Sequence, residues 1–198
     1  MKGLRIKFTI VGDKSVGKTT IARKFGKKTP ERNIGIETYK VNYKKNEEFF
    51  IFEIVDMPSE GFPLSEFEKS NFVVIVFDIT NRKSFFTVNN FINICNDSEN
   101  KNINLILVGN KKDLELSREV TTEEAKKLAK KNGMKFYEIS ALNEIEIGKI
   151  FKDGFNDFYE SIEDMFDFND NNITKVGDSI NINNIFYDND LKRGCCWW

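Results

Sequence analysis

The chain has 198 residues, which is enough for one domain and an appendage, and a domain of this size buries most of its apolar surface. Its 30 basic and 31 acidic side chains give a net charge of -1 and do not gather on one segment, which argues against a nucleic-acid partner. Histidine is absent, so imidazole general-base catalysis and the commonest zinc ligand are both excluded.

Strand-like and helix-like segments alternate along the chain, which predicts an α/β fold with a mostly parallel sheet. The predicted strands cover residues 4–11, 39–43, 49–55, 72–77, 104–108 and 135–139. The predicted helices cover residues 18–25, 84–96, 122–132 and 145–159. The second and third strands form a hairpin, and the continuous apolar run of the fourth is typical of a strand covered on both faces. Thr121 or Thr122, followed by two glutamates, is expected to cap the third helix.

From about residue 163 the composition changes to asparagine, aspartate and isolated apolar residues. No amphipathic period is sustained there, which predicts a flexible tail over residues 163–194. We therefore divide the chain into a domain at residues 1–162 and a tail at residues 163–198, without internal repeats.

The three cysteines do not form a recognisable disulfide or metal pattern. Cys95 lies within a predicted helix and is expected to be a small buried apolar residue rather than a nucleophile. Cys195 and Cys196 are adjacent and nearly terminal. The sequence shows no signal peptide and no apolar run of membrane length, which predicts a cytosolic, reducing compartment.

A glycine-rich loop of the pattern GxxxxGK[ST] lies between the first predicted strand and the first predicted helix. In such a unit, glycines let backbone N–H groups turn inward around phosphate oxygens, and the positive pole of the helix adds to the attraction. Lys18 is expected to pair with the β- and γ-phosphates, and Thr19 to place its hydroxyl on Mg²⁺. The alternative is a turn that binds no ligand. The predicted phosphate-binding residues of this loop are Gly12, Asp13, Lys14, Ser15, Val16, Gly17, Lys18, Thr19 and Thr20.

Asp56 ends the second strand of the predicted hairpin. A carboxylate at this place can hold Mg²⁺ through a water molecule. Aspartate at a strand end is also a common turn residue, but the glycine-rich loop upstream favours the metal site.

The tetrapeptide Asn110-Lys111-Lys112-Asp113 follows an apolar strand and predicts which base is bound. Guanine presents N1–H and N2–H₂ as donors, and the carboxylate of Asp113 can accept from both. Adenine lacks this donor pair and would leave a buried Asp113 without a partner. The aliphatic stem of Lys111 can lie on the base face, although the tetrapeptide alone could be a polar turn.

Ser140 and Ala141 follow the last predicted strand and are expected to bring a backbone N–H near guanine O6. The predicted base-binding residues are Asn110, Lys111, Asp113, Ser140, Ala141 and Leu142.

These motifs, in this order and spacing, resemble the Ras superfamily of small GTPases over about residues 4–160. Within that superfamily the sequence is most similar to the Rab family, through residues 75–85, residues 34–37 and the double-cysteine ending. The resemblance implies a P-loop NTPase G domain in which five helices flank a six-stranded, mostly parallel sheet with one antiparallel edge strand. It also implies GTP, GDP and Mg²⁺ as cofactors, and two switch loops that detect the γ-phosphate.

The second switch departs from the family pattern Asp-Thr-Ala-Gly-Gln, which here is Asp56-Met57-Pro58-Ser59-Glu60. Ser59 keeps the backbone N–H that meets the γ-phosphate, but its side chain restricts the backbone and Pro58 stiffens it further. The family's glutamine positions the attacking water, whereas an ionised Glu60 only accepts hydrogen bonds and is repelled by the γ-phosphate. Glu60 could still serve as a base, so slow hydrolysis and lost hydrolysis both stay open. The candidate catalytic residues are Lys18 and Glu60.

The first switch is altered as well. Asn33 stands where the family has the threonine that binds Mg²⁺, and an amide oxygen can reach a metal only with less ideal geometry. The loop is several residues shorter than usual, and Pro30 falls where an aromatic side chain usually braces the guanine. Both features predict weaker nucleotide binding, or a first switch loop that moves less between its two states.

Lys14 occupies a position in the glycine-rich loop that is small in most relatives. Its side chain either points to solvent or crowds the site that a partner's arginine uses. Together with Ser59 and Glu60, it predicts a poor response to an activating partner. Leu142 replaces the lysine that usually follows Ser-Ala in the family, which is a smaller departure than those at Lys14, Ser59 and Glu60.

Two adjacent cysteines before the last two residues suit dual geranylgeranylation of Cys195 and Cys196. Two lipid chains anchor a protein stably, whereas one gives marginal binding. A single-prenyl signal at Cys195 does not fit, because Trp198 is not a usual last residue. The alternative is that the tryptophans bury and the thiols stay free.

We expect a Rab-like, Mg²⁺-dependent GTP/GDP switch of vesicle trafficking, in the cytoplasm and reversibly attached to the cytosolic face of endomembranes. The resemblance implies an exchange factor, effectors and escort or GDI-type proteins as partners. One alternative is a pseudo-GTPase, a binding module without effective hydrolysis. Another is a P-loop ATPase or kinase, which Asp113 opposes. The target organelle and the effectors are not specified, since the switch segments depart from the family at Val55, Glu66 and Glu68.

Overall fold

The structure is a computed structural model that describes residues 2–29, 35–45, 48–61, 63–163 and 186–187. Its strands and helices alternate along the chain, as the sequence predicts. The strands are β1 Lys2–Gly12, β2 Lys27–Lys28, β3 Glu37–Lys45, β4 Glu48–Asp56, β5 Phe72–Asp78, β6 Asn104–Asn110, β7 Lys135–Glu138 and β8 Phe186–Tyr187. The helices are α1 Lys18–Phe25, α2 Ser65–Glu68, α3 Arg82–Phe86, α4 Val88–Asp97, α5 Thr122–Lys131 and α6 Glu144–Glu163, with a 3₁₀ helix at Lys112–Ser117.

The strands form one sheet in the order β2-β3-β4-β1-β5-β6-β7, with β8 added beside the start of β1. Strands β4, β1, β5, β6 and β7 are mutually parallel, and β3 pairs with β4 in the antiparallel direction as the second strand of the predicted hairpin. The predicted α/β fold, mostly parallel with an antiparallel strand toward one edge, is therefore confirmed.

The number of elements differs from the six strands and five helices that the resemblance implies. Within the described residues, β2 and β8 have two residues each and α2 has four, too few to show a hydrophobic period. The predicted helix at residues 84–96 is divided into α3 and α4 at Thr87. The hydroxyl of Thr87 donates to the carbonyl of Ser84 at 2.8 Å, which competes with the regular helical hydrogen bonds.

Alternating residues of β1 separate two apolar cores, one on each face of the sheet. Phe8 lies on the face covered by α1 and α6, where it stacks on Phe72 with ring centroids 4.7 Å apart and meets Phe151 edge-on at 5.1 Å. Gly154 lets α6 approach this cluster, because a Cβ there would lie 3.0 Å from the Phe8 ring. The opposite face packs against α4 and α5. Every residue of β5 is buried, as predicted for a strand covered on both faces.

Cys95 belongs to the second core and is 5% exposed, as the sequence predicts for a small apolar residue. Burial raises the pKa of its thiol to about 12, so the reactive thiolate is scarce at neutral pH.

We expect Cys95 to resist thiol reagents while the protein is folded. The measurement is the labelling rate with a chromogenic disulfide reagent in a Cys195→Ser/Cys196→Ser variant, with and without denaturant. Labelling should follow the unfolding rate, because the sulfur must first leave the core. Rapid labelling of the native protein would contradict its burial.

The end of the chain is described only in part. Helix α6 ends at Glu163, near the predicted boundary, and Phe186–Tyr187, which the sequence analysis assigns to the flexible tail, pairs with Gly3 and Lys2 of β1. Pro30, Asn33, Cys195 and Cys196 lie outside the described residues, so their predicted roles stay predictions. Among the described helices, none combines the length and the apolar character that crossing a bilayer requires.

Candidate functional site

The residues singled out in the sequence come together at the carboxyl edge of the sheet. The strands that end there are β1 at Gly12, β4 at Asp56, β5 at Asp78, β6 at Asn110 and β7 at Glu138. Parallel strands place their carboxyl ends at the same edge, which is where ligands of open α/β sheets bind. The site is therefore built by loops that start from five neighbouring strands.

The loop between β1 and α1 needs glycine at two positions. Gly12 has a φ of 148° and Gly17 a φ of 103°, where side chains are strained. A Cβ on Gly12 would lie 2.2 Å from the carbonyl oxygen of Val76, and one on Gly17 would lie 2.2 Å from Nδ2 of Asn110. The loop thus lies directly against β5 and the end of β6.

Helix α1 begins immediately after this loop, with Gly17 as its N-cap. Glycine has no side chain that could accept from the first backbone N–H groups of a helix, and those groups attract anions. The geometry therefore suits a phosphate group cradled by residues 12–19, as the sequence predicts.

Lys18 extends back over the loop instead of into solvent and is 7% exposed. Its Nζ donates to the carbonyl oxygens of Gly12 at 2.9 Å and Asp13 at 2.8 Å, and to the hydroxyl of Ser59 at 3.2 Å. Burial lowers the pKa of Lys18, and the carboxylates of Asp56 and Asp13 oppose that shift. The ammonium is positioned by the protein itself, so little ordering remains to be done when an anion binds.

Thr19 and Asp56 meet at the start of α1, where the Thr19 hydroxyl donates to Oδ2 of Asp56 at 2.5 Å. Asp56 is buried and Thr19 is exposed, so the pair faces outward through the threonine. A hydroxyl and a carboxylate are the hard oxygen ligands that Mg²⁺ prefers. Since no cluster of three or more His, Cys, Asp or Glu occurs within the described residues, a magnesium ion here would complete its shell with water and phosphate oxygens. The donor set fits Mg²⁺.

Asn110 connects the glycine-rich loop to the loop after β7. It is 1% exposed, its Nδ2 donates to the carbonyl of Val16 at 2.7 Å, and its Oδ1 accepts from the N–H of Ala141 at 2.8 Å. Residues far apart in sequence are thereby held at a fixed distance. The amide acts as a clamp between the predicted phosphate-binding and base-binding loops.

Asn110→Ala is expected to lower the free energy of unfolding by about 2–4 kcal/mol, because a buried carbonyl and a buried N–H lose their partner. Denaturant unfolding monitored by fluorescence would measure the change. Asn89→Ala, at an exposed position of α4, is the matched control and should change stability by less than about 0.5 kcal/mol. Equal effects of the two variants would show that the clamp contributes nothing.

Lys111 has a left-handed backbone conformation, with φ 68° and ψ 34°. Its Nζ forms a 2.6 Å ion pair with Oδ2 of Asp78, a buried carboxylate whose Oδ1 also accepts from the backbone and hydroxyl of Thr80. Asp78 was not predicted as a site residue. It could have been found by the signal that identified Asp56, a carboxylate at the end of an apolar strand.

Asp113 lies in the first turn of the 3₁₀ helix and its side chain is exposed, not buried as the specificity argument assumes. The reason is that the surrounding segment, Lys112–Ser117, has no buried residue. The carboxylate is accessible to a base, and the base itself would have to exclude water from it.

Three backbone N–H groups of the loop after β7 are already hydrogen-bonded to side chains of the protein. The N–H of Ser140 donates to Oε2 of Glu146 at 2.8 Å, that of Ala141 to Asn110, and that of Leu142 to the Ser140 hydroxyl at 3.2 Å. A guanine O6 would therefore share or displace one of these acceptors. Leu142 is 69% exposed beside the loop.

The other predicted residues lie at the surface. Lys14, Ser15, Thr20 and Glu60 are exposed, and the backbone N–H of Lys14 donates to Oδ1 of Asp13 at 2.7 Å. Of the two alternatives for Lys14, the structure favours a side chain in solvent. Glu60 is not buried against the site in the way that a positioned catalytic base would be.

The segment after Gly61 is fixed to the sheet. Lys7 of β1 pairs with Glu66 of α2 at 2.5 Å, and the hydroxyls of Thr9 and Ser70 are 2.6 Å apart. Asn100 donates to the carbonyls of Glu68 and Ser70 at 3.0 and 3.1 Å. Helix α2 is therefore held by polar contacts from β1 and from the loop before β6.

Comparison with known proteins extends over most of this structure. The Ras family model matches residues 7–160. The Ras-related protein Rab-2B of Dictyostelium discoideum is 30% identical over 165 residues, covering 79% of this chain and 82% of that protein. Rab-4 of the same organism is 32% identical over 154 residues (74% and 75%), and RABA4b of Arabidopsis thaliana is 28% identical over 183 residues (88% and 79%). The matched region includes the whole carboxyl edge of the sheet.

Proposed function

Because this chain belongs to the Ras family and is Rab-like, we propose that it is a switch that binds GTP and GDP with Mg²⁺ and hydrolyses GTP slowly. The observation that supports this most is the Asn110 clamp, whose amide contacts Val16 at 2.7 Å and Ala141 at 2.8 Å. The clamp holds the predicted anion-binding loop beside the predicted base-binding loop, which supports the binding of one ligand that carries both a phosphate and a base. Asp113, accessible beside the clamp, selects guanine through its two donors.

The phosphates are bound by backbone N–H groups of residues 12–19 and by Lys18. Thr19 and Asp56 would hold the metal ion, and the resemblance implies Asn33 as a further ligand. When bound, Mg²⁺ supplies charge neutralisation on the phosphates. Lys18 would supply further positive charge to the phosphates.

Slow hydrolysis follows from the residues that would position water. Glu60 is exposed, and as a carboxylate it lacks the donor with which the family's glutamine orients the nucleophile. Pro58 and Ser59 stiffen the backbone that must reach the γ-phosphate. Without a residue that orients the water, hydrolysis depends on how residues 12–19 position the phosphates and on the positive charge of Lys18 and the metal ion.

The cellular role is proposed from family membership. Residues 1–162 form the nucleotide-binding domain, and residues 163–198 form a tail that carries geranylgeranyl groups on Cys195 and Cys196. The protein acts in vesicle trafficking on the cytosolic face of endomembranes. Its partners are an exchange factor, effectors, and escort or GDI-type proteins.

The first test is the nucleotide content of the purified full chain, measured by chromatography after denaturation, followed by uptake of labelled GTP or ATP with and without a Mg²⁺ chelator. Stoichiometric guanine nucleotide, lost on chelation, is the expected result. A protein that carries no guanine nucleotide and takes up none would end the proposal. Uptake of ATP in competition with GTP would indicate an ATPase or kinase instead.

A pseudo-GTPase is the second candidate, and the exposed Glu60 with the substituted Pro58 and Ser59 favours it. Single-turnover release of phosphate from bound GTP separates the two functions. A slow release that depends on Mg²⁺ supports the switch. Stable GTP over many hours in a protein that binds it would assign the pseudo-GTPase.

A further inference from the structure

Within the part of the chain that the structure describes, the hydroxyl of Ser59 is the one side-chain acceptor of Lys18. Lys18 Nζ lies 3.2 Å from Ser59 Oγ, while its other two bonds go to the backbone carbonyls of Gly12 and Asp13. An ammonium group has three N–H donors, so these three oxygens occupy all of them. Any phosphate oxygen that approaches Lys18 must share or displace one.

The carbonyls of Gly12 and Asp13 are part of the glycine-rich loop and move only with it. The Ser59 hydroxyl, in contrast, turns on a single side-chain torsion and is the acceptor that is most easily displaced. The family pattern has glycine at this position, which offers no such group. Competition at Lys18 is therefore a property of this sequence.

The backbone on the N-terminal side of Ser59 keeps the hydroxyl near Lys18. Met57 is buried and its N–H donates to the carbonyl of Ile10 at 3.1 Å, which ties the segment to β1. Pro58 then restricts the next φ angle. Ser59 follows directly and is half-buried, so its Cα is held in place and the hydroxyl leaves Lys18 only by rotating about the side-chain torsion.

The side from which Ser59 approaches identifies the phosphate it competes with. A β-phosphate lies within the cradle of residues 12–19, where backbone N–H groups and the start of α1 hold it. Ser59 belongs to the segment beyond Asp56, outside this cradle and on the metal side. Since the base would bind toward Asn110 and Ala141, a third phosphate would extend away from them, toward the segment of Asp56 and Ser59.

We infer that the Ser59 hydroxyl competes with the γ-phosphate for Lys18 and biases the site toward a nucleoside diphosphate over a triphosphate. This rests on the proposed function, since it assumes that the site binds guanine nucleotides. Binding a diphosphate leaves the Ser59–Lys18 hydrogen bond in place. Binding a triphosphate replaces it and requires the hydroxyl to rotate away while the restrained backbone stays in place.

The test is the ratio of dissociation constants for GDP and for a non-hydrolysable GTP analogue, measured by competition against a fluorescent GDP in Mg²⁺ buffer with the full chain. Ser59→Ala removes the hydroxyl and keeps the backbone restraint. It should tighten the triphosphate relative to the diphosphate by roughly threefold to tenfold, the range of one hydrogen bond's net contribution. Ser59→Thr keeps a hydroxyl and should retain the wild-type ratio.

Ser65→Ala is the matched control, because Ser65 is an exposed serine in the same stretch of chain, at the start of α2. It should leave both dissociation constants unchanged. An unchanged ratio in Ser59→Ala, or an equal change for both nucleotides, would overturn the competition while leaving nucleotide binding itself intact. Wild-type protein that binds neither nucleotide would overturn both the competition and the proposed function.

Discussion

Lys18→Ala is expected to weaken GDP binding by roughly tenfold to a hundredfold. Lys18 is held over the loop by the carbonyls of Gly12 and Asp13, so its charge is in place before a phosphate arrives. A hydrogen bond to a charged group contributes about 1.5–3 kcal/mol, and GDP offers Lys18 its β-phosphate but no γ-phosphate, so losing one such bond corresponds to a roughly tenfold to hundredfold weaker affinity. The measurement is the dissociation constant for GDP in competition with fluorescent GDP.

Lys127→Ala, on the exposed face of α5, controls for the loss of one positive charge and should bind GDP like the wild type. Thermal unfolding of both variants without added nucleotide separates lost binding from lost folding. A folded Lys18→Ala protein that binds GDP within about threefold of the wild type would show that Lys18 does not contact phosphate.

Asp113→Asn is expected to reverse the choice between guanine and xanthine. A carboxylate accepts from both N1–H and N2–H₂ of guanine. In an amide, the NH₂ group is itself a donor and would face one of these guanine donors without forming a hydrogen bond. Xanthine carries a carbonyl in place of the amino group, so the amide complements it. We expect GDP to bind at least about a hundredfold more weakly and xanthosine diphosphate to bind more tightly than in the wild type.

Competition of both diphosphates against a fluorescent nucleotide measures this reversal. Asp97→Asn, an exposed residue that ends α4, is the control for the charge change and should leave GDP binding unaltered. If Asp113→Asn lowered the affinity for both bases equally, the carboxylate would stabilise the loop rather than choose the base.

The sequence predicts the local parts of the site well, because a glycine-rich loop between a strand and a helix is specified by neighbouring residues. The bounds of α1, Lys18–Phe25, match the prediction, and Thr121 caps α5 with Glu124 as expected. The bonds that join the loops are different. Asn110 contacts residues 94 and 31 positions away, and no spacing rule indicates such partners.

The same limit applies to the two lysines of the site. Their charges are evident in the sequence, but the pairing of Lys111 with Asp78 and the contact of Lys18 with Ser59 depend on how β5 and the segment after β4 lie beside them. The exposure of Asp113 without a bound base has a related cause, since the packing of a short 3₁₀ helix is not encoded in a periodic pattern.

The attachment of α2 to the sheet has a consequence for the partners proposed for this protein. Lys7, Thr9 and Asn100 hold the segment around Ser70 through contacts that do not involve the phosphate loop, so we expect its surface to change little between the GDP and GTP forms. A protein that docks on α2 alone is then expected to bind the GDP and GTP forms equally. One that distinguishes the two forms must also touch the residues between Asp56 and Gly61, or the loop before β3.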